Sequence, residues 1–251
     1  MLSRKIIVLQ ANDSGYIDYD WLYNMSKQIY NKITLYNKEY AKFLHDKGFI
    51  SRDLKTKKFK LFNFSLIFDN QKMNKEGIYI NKNDNINLVI SGYNEVINAI
   101  LQGIIINNEF KLNNILFKTV NIQNDSKVRF NKINIYKALT PIVESKWNDG
   151  VKYLNPYDPK YYNAIKQNLK RKYEIIYDKP YNGILKIMIE NMLKVKKKTF
   201  NIKNDSYVQG YGKFEMLVQA DNDMQKVAYY CGLGEKNSIG AGFLVFITGG
   251  E

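Results

Sequence analysis

Apolar residues recur at two different periods along this chain, and the switches between them outline its elements. Residues 4–10 alternate weakly between apolar and polar, the two-residue period of a strand. Within residues 18–33, Trp21, Met25, Ile29 and Ile33 recur every four positions, which predicts a helix with one apolar face. Residues 37–47 form a shorter helical stretch with Tyr40, Phe43 and Leu44 inward, closed by Gly48 as a C-cap. Residues 59–68 are apolar on both faces and predict a buried strand; 77–81 and 86–91 predict two more. Residues 95–103 carry Val96, Ile97, Ile100 and Leu101 and predict a helix, followed by a strand over 115–122. Strand, helix, strand, strand, helix, strand is the split βαβ order of a ferredoxin-like domain.

The polar segment 124–131 divides the chain into halves, 1–125 and 132–251. It lacks the Pro and Gly of a loose linker, so the halves are expected to pack closely. The order then repeats more loosely. Residues 138–144 predict a strand, 158–177 a helix, and 183–190, 196–202 and 208–219 strands. Met224, Val227, Ala228 and Cys231 stripe a helix, and 243–247 is the last strand. The predicted fold is α+β, two tandem ferredoxin-like (RRM-like) βαββαβ domains.

Composition narrows the function. A 45% hydrophobic content supports a packed core. No stretch approaches the roughly 20 apolar residues of a membrane span, and the first ten residues are expected to be a strand, not a signal peptide. One cysteine, Cys231, fits a reducing cytoplasm, and one Cys with one His cannot build a four-ligand zinc site; no metal or cofactor is expected. The net charge of +14 draws polyanions. Heavy use of Lys, Asn, Ile and Tyr, with four arginines among 38 basic residues, points to an AT-rich coding sequence, so clustering says more than the sum. Basic runs occur at 52–60, 166–172 and 194–198. Three such runs in a chain with 14% aromatics favour nucleic acid as partner over plain solvated faces.

The densest signal is Gly-Leu-Gly-Glu-Lys-Asn-Ser-Ile-Gly-Ala-Gly at 232–242, between the last helix and the last strand. Gly232, Gly234, Gly240 and Gly242 permit close backbone approach, and exposed N–H groups beside Lys236, Asn237 and Ser238 are expected to grip a phosphate chain. Plain turn geometry is the alternative. The order helix, loop, strand excludes a nucleotide P-loop or a dinucleotide fingerprint, both of which follow a strand and open a helix. Lys194, Lys196, Lys197 and Lys198 are a second expected grip on a nucleic-acid backbone; the alternative is an edge strand kept soluble by charge.

His45 is the one histidine. Beside Phe43 and Leu44 it is either a partly buried structural residue or a proton shuttle, since imidazole titrates near neutrality. Asp46 adjoins it in sequence but would lie on a different face of a regular helix. Tyr30, Tyr36, Tyr40 and Lys60 are the other proton-handling candidates nearby. Lys60 opens an apolar strand, so its ammonium either snorkels to solvent or meets an anion.

Tyr30-Asn31, Phe43-Leu-His-Asp-Lys-Gly48, Phe59-Lys-Leu-Phe-Asn-Phe-Ser65, Thr140-Pro-Ile-Val143, Tyr207-Val-Gln-Gly-Tyr211 and the glycine string with its following Phe243 together resemble the CRISPR-associated endoribonucleases that process precursor crRNA, within the RAMP superfamily. The resemblance spans nearly the whole chain and implies two ferredoxin-like domains in tandem. It implies metal-independent cleavage of CRISPR repeat RNA, with Tyr30, His45 and Lys60 on the family's tyrosine, histidine and lysine. The substrate's own 2′-OH would attack the adjacent phosphorus, leaving 2′,3′-cyclic phosphate and 5′-OH ends. His45 and Tyr30 would share the base and acid roles, and a tyrosine with a pKa of about 10 is a poor base, which favours His45 as base. Lys60 would stabilise the phosphorane. One departure is Ala241, where many members carry an aromatic; this bears on packing, not class. Two rivals stand: a non-catalytic RNA-binding subunit of the same superfamily, and a regulatory or ribosome-associated RNA-binding module. Whether other effector subunits or a second copy of the chain join it is left open.

Overall fold

The computed structural model describes every residue except 55, 70, 127, 148–149, 203–205 and 249–251. Lys55 of the first basic run therefore lies outside the described residues. The first half contains β1 (Leu2–Ala11), α1 (Trp21–Tyr36), β2 (Phe62–Ile67), β3 (Asn85–Tyr93), α2 (Asn94–Ile106), β4 (Glu109–Leu112) and β5 (Ile115–Asn124). Its antiparallel sheet runs β2-β3-β1-β5-β4. The predicted stripe Trp21, Met25, Ile29 and Ile33 is buried, in one core with Ile7, Leu9, Leu88 and Ile90 of the sheet. Helices α1 and α2 cross closely at Gly103, where a Cβ would stand 1.9 Å from the Lys32 carbonyl oxygen.

The second half contains β6 (Ile133–Ala138), α3 (Pro159–Tyr177), β7 (Lys186–Ile189), β8 (Lys196–Asn201), β9 (Tyr207–Gly212), β10 (Glu215–Gln219), α4 (Asn222–Cys231) and β11 (Leu244–Thr248). Its antiparallel sheet runs β7-β10-β6-β11, while β8 and β9 form a hairpin of their own. The halves do pack closely. Helix α4 lies on β1, β2 and β3 of the first sheet. There Arg4 is buried: its guanidinium donates to the Tyr229 carbonyl at 2.6 Å and sits 3.5 Å from the centre of that residue's ring.

Four sequence expectations change. The strand expected over 59–68 is broken: Lys58–Phe59 pairs with Phe49–Ile50, Leu61 takes φ 53°, and Lys60 sits in the gap. The strand expected at 138–144 lies earlier, at Ile133–Ala138; beyond it Pro141 has no N–H to give a ladder, and Ile142 and Val143 make single bridges to Tyr211 and Glu235. The run 208–219 is two strands, turned at Lys213 with φ 60°. The helix expected over 37–47 is α-helical at Lys38–Lys42 and π-helical at Phe43–Lys47, with Gly48 capping it at φ 62° as expected. Among the described residues no helix is long and apolar enough to cross a membrane.

Candidate active site

The π-helical turn decides what His45 can do. Its i→i+5 pattern holds more residues per turn than an α-helix, so neighbours in sequence fan out differently. Leu44 is buried beneath the turn, while the His45 side chain is 77% exposed. That removes the reading of a partly buried structural histidine. His45 Nδ1 stands 2.8 Å from Asp46 Oδ1, so the expectation that the two point apart is also overturned. Donation of the Nδ1 proton to the carboxylate leaves Nε2 with a free lone pair. The same hydrogen bond holds the Asp46 carboxyl below the usual carboxylate range.

Tyr30, on α1, meets the His45 ring edge to face with centroids 6.2 Å apart and the Phe62 ring at 5.8 Å. Burial pushes its phenol up to about 12, and a hydrogen bond with the Ser238 side chain acts in the opposite direction. Lys60 stands in the gap before β2 and turns back on the histidine: its Nζ donates to the carbonyl oxygens of Leu44 and, at 2.7 Å, His45. The ammonium thus caps the open carbonyl end of the π turn. Burial, helped by the nearby Lys58 charge, brings its pKa down to about 8. Tyr30, His45 and Lys60 line one cleft of about 800 Å³, with Lys27, Lys57 and Lys236 on its walls.

The glycine loop forms the facing wall, but not as expected. Gly232, Gly234, Gly240 and Gly242 are all buried. A Cβ on Gly242 would stand 1.9 Å from the Leu233 carbonyl oxygen, and one on Gly240 would strike Leu22 at 2.6 Å. The close approach is to the protein itself. The amides on either side of residues 236–238 are used internally: Leu233 N–H goes to Gly242, Glu235 to Val143, Gly240 to Asn237 and Gly242 to Pro141. The Asn237 amide donates to the Leu233 and Ala241 carbonyls, and Ala241 is buried in the first core. Exposed Lys236 and half-buried Ser238 face the cleft, and Ser26 Oγ holds the Ser238 carbonyl at 2.8 Å.

Sequence reasoning missed what locks this loop. Lys172 is 2% exposed, and its Nζ donates to the carbonyls of Gly232 at 2.8 Å and Gly234 at 3.1 Å and to Asn237 Oδ1 at 2.7 Å. Burial lowers its pKa to about 8. A signal existed: Tyr161, Ile165, Leu169 and Lys172 share the buried stripe of α3, a core position given to a lysine. Also missed was a carboxylate pair behind the loop. Glu235 pairs with Lys57 of the first half and accepts from Ser145 Oγ at 2.7 Å, while buried Glu144 is pushed up to about 8, first by desolvation and then by the Glu235 charge.

Lys194, Lys196 and Lys197 are exposed, outside the cleft, around the start of the β8–β9 hairpin. Lys198 donates to the Tyr19 carbonyl at 3.1 Å and so ties the hairpin to the first half. Cys231 is buried and its thiol is pushed up to about 12, which leaves it unreactive. Among the described residues no three His, Cys, Asp or Glu side chains group so as to hold a metal ion.

Comparisons with known proteins show the family of the chain. The family model "CRISPR-associated protein Cas6, N-terminal" matches residues 16–123, and "CRISPR associated protein Cas6, C-terminal" matches 123–246. The chain is 33% identical over 247 residues to a CRISPR-associated endoribonuclease Cas6 of Methanocaldococcus jannaschii, covering 94% of this chain and 90% of the relative. It is 26% identical to a CRISPR-associated endoribonuclease Cas6 of Pyrococcus furiosus, covering 91% and 83%. A solved structure of a CRISPR associated protein Cas6 superposes with a TM-score of 0.81 at 30% identity, covering 99% of this chain and 100% of the other. The chain belongs to the Cas6 family of CRISPR-associated proteins.

Proposed function

We propose that this chain cuts CRISPR repeat RNA in the precursor transcript and so releases crRNAs. One observation carries the reading: an exposed imidazole, a protonated phenol and a lysine converge in a single cleft walled by further lysines. The relatives named as CRISPR-associated endoribonucleases support the substrate class.

The residue types support metal-independent internal transesterification. His45 Nε2, free while Nδ1 is given to Asp46, takes the proton of the substrate 2′-OH. That oxygen attacks the adjacent phosphorus. Tyr30, whose pKa of about 12 keeps it protonated at neutral pH, gives its proton to the departing 5′-oxygen. The products are a 2′,3′-cyclic phosphate and a 5′-OH. Lys60 offsets charge on the phosphorane while fixing the turn that carries His45. Lys236 and Ser238 contact the strand from the facing wall, over a loop whose glycines provide the foundation. Lys194, Lys196 and Lys197, with Lys198 anchoring their hairpin, offer a second surface for outlying phosphates.

The molecule is read as two tandem ferredoxin-like units, 1–125 and 132–251. Both four-strand series support this, since β2-β3-β1-β5 and β7-β10-β6-β11 each place the second, third, first and fourth strand side by side.

The test is cleavage of repeat RNA followed by sequencing of both ends. Cutting that persists in EDTA, leaves cyclic phosphate ends and disappears when the scissile 2′-OH is replaced by H fits the proposal. Inhibition by EDTA overturns the metal-independent route. Tight binding without cutting leaves a carrier of RNA instead.

A further inference from the structure

We propose that the polar stripe of α1 is a nucleotide-binding wall beside the scissile bond, in which Tyr23 stacks on a base, Lys27 holds a phosphate and Asn31 bonds a base edge or ribose. The proposal rests on the reading of the cleft as the RNA site and assigns three residues to it beyond the catalytic set.

The stripe follows from helix geometry. Tyr23, Lys27 and Asn31 stand at i, i+4 and i+8, and all three line the cleft. They alternate with Ser26 and Tyr30 on the face turned from the core stripe of Met25, Ile29 and Ile33. Four residues advance about 6 Å along a helix, which is close to the step between phosphates of an extended strand. A strand whose scissile phosphate sits at Tyr30 therefore meets Lys27 about one nucleotide away and Tyr23 about two.

The chemistry of the stripe is open to an anion. Residues 21–36 contain no Asp or Glu, so nothing on the helix repels RNA or competes for Lys27. Among the described residues Lys27 has no carboxylate partner; its Nζ lies 4.4 Å from the centre of the Tyr23 ring. Lys57, across the cleft, is by contrast already paired with Glu235. Asn31 is exposed and lines the cleft. Lys27 lies over one face of the Tyr23 ring, and an aromatic ring with a cation at one face and a base at the other joins stacking to backbone charge, as in single-strand binding.

The test uses the full chain and repeat RNA. Tyr23→Ala is expected to raise Kd on the order of tenfold, while Tyr23→Phe, which keeps the ring, binds as the unaltered protein does. Lys27→Ala is expected to reduce the slope of log K against log salt by about 0.7, one phosphate contact on a single strand. Removing bases one at a time near the scissile bond locates the stacked nucleotide: one abasic position weakens the unaltered protein but adds nothing to Tyr23→Ala. Unchanged Kd and slope in Tyr23→Ala and Lys27→Ala, in a preparation that still cuts repeat RNA, would overturn the stripe alone. Failure of the unaltered protein to bind or cut repeat RNA would instead remove the cleft reading on which the stripe stands.

Discussion

The two walls of the cleft are built on opposite plans. The His45 wall is an exposed turn whose key side chain has one ionic partner and open solvent around it. The glycine-loop wall is anchored: its glycines are buried, the amides flanking 236–238 are used, and Lys172 lies beneath it with no water contact to speak of. A group that must exchange protons with a substrate has to stay accessible, whereas a surface that defines where the substrate lies has to stay put. Damage to the first wall should alter chemistry without unfolding; damage to the second should register first as lost stability.

The sharpest break is expected from His45→Ala. Single-turnover cleavage should fall by at least about 10²-fold, with RNA affinity and melting temperature nearly unchanged. A lower melting temperature in this variant would blur the contrast between the walls. On the anchored side, Lys172→Met leaves buried carbonyl acceptors without a donor and should cost about 1–3 kcal/mol. Thermal denaturation reads this directly, as a drop of several degrees for a chain of this size. No change in melting would mean the loop holds itself.

Acidity separates the walls further. Lys60 is cationic below about 8, so cleavage should decline as pH rises through that value, and Lys60→Arg should carry the falling limb to higher pH. A pH–rate profile unmoved by the substitution would take Lys60 out of the charge role. A further effect is expected at Glu144. Between 4.5, the ordinary value for a glutamate, and about 8 the folded protein holds a proton that the unfolded chain releases, so stability falls as pH rises across this window. Glu144→Gln should flatten that fall, by at most about 1.4 kcal/mol per pH unit, as read from melts at the two ends of the window.

The sequence was most legible where period decides structure. Trp21, Met25, Ile29 and Ile33 sit in the core as their spacing requires, and Gly48 ends its helix in the left-handed region. The gathering of Tyr30, His45 and Lys60 came from family resemblance, since no spacing brings three such distant residues together. Breaks at Leu61 and Lys213 were invisible because neither position carries the glycine that usually marks a positive φ. A π turn has the composition of an α-helix, so the His45–Asp46 pair could not be read either. The glycine string misled for a physical reason: glycine signals that some backbone comes close, and here it is the chain's own.

Register within the short helix before Gly48 has a design consequence. Each residue of an α-helix rotates its successor by about 100°. Deleting a single position between Lys38 and Lys42 would let the next turn relax to ordinary i→i+4 bonding and swing the imidazole away from Tyr30. Reactivity at this place thus depends on how many residues precede the ring as well as on which residue bears it, and a variant that keeps Tyr30, His45 and Lys60 but loses one residue of that helix should be silent.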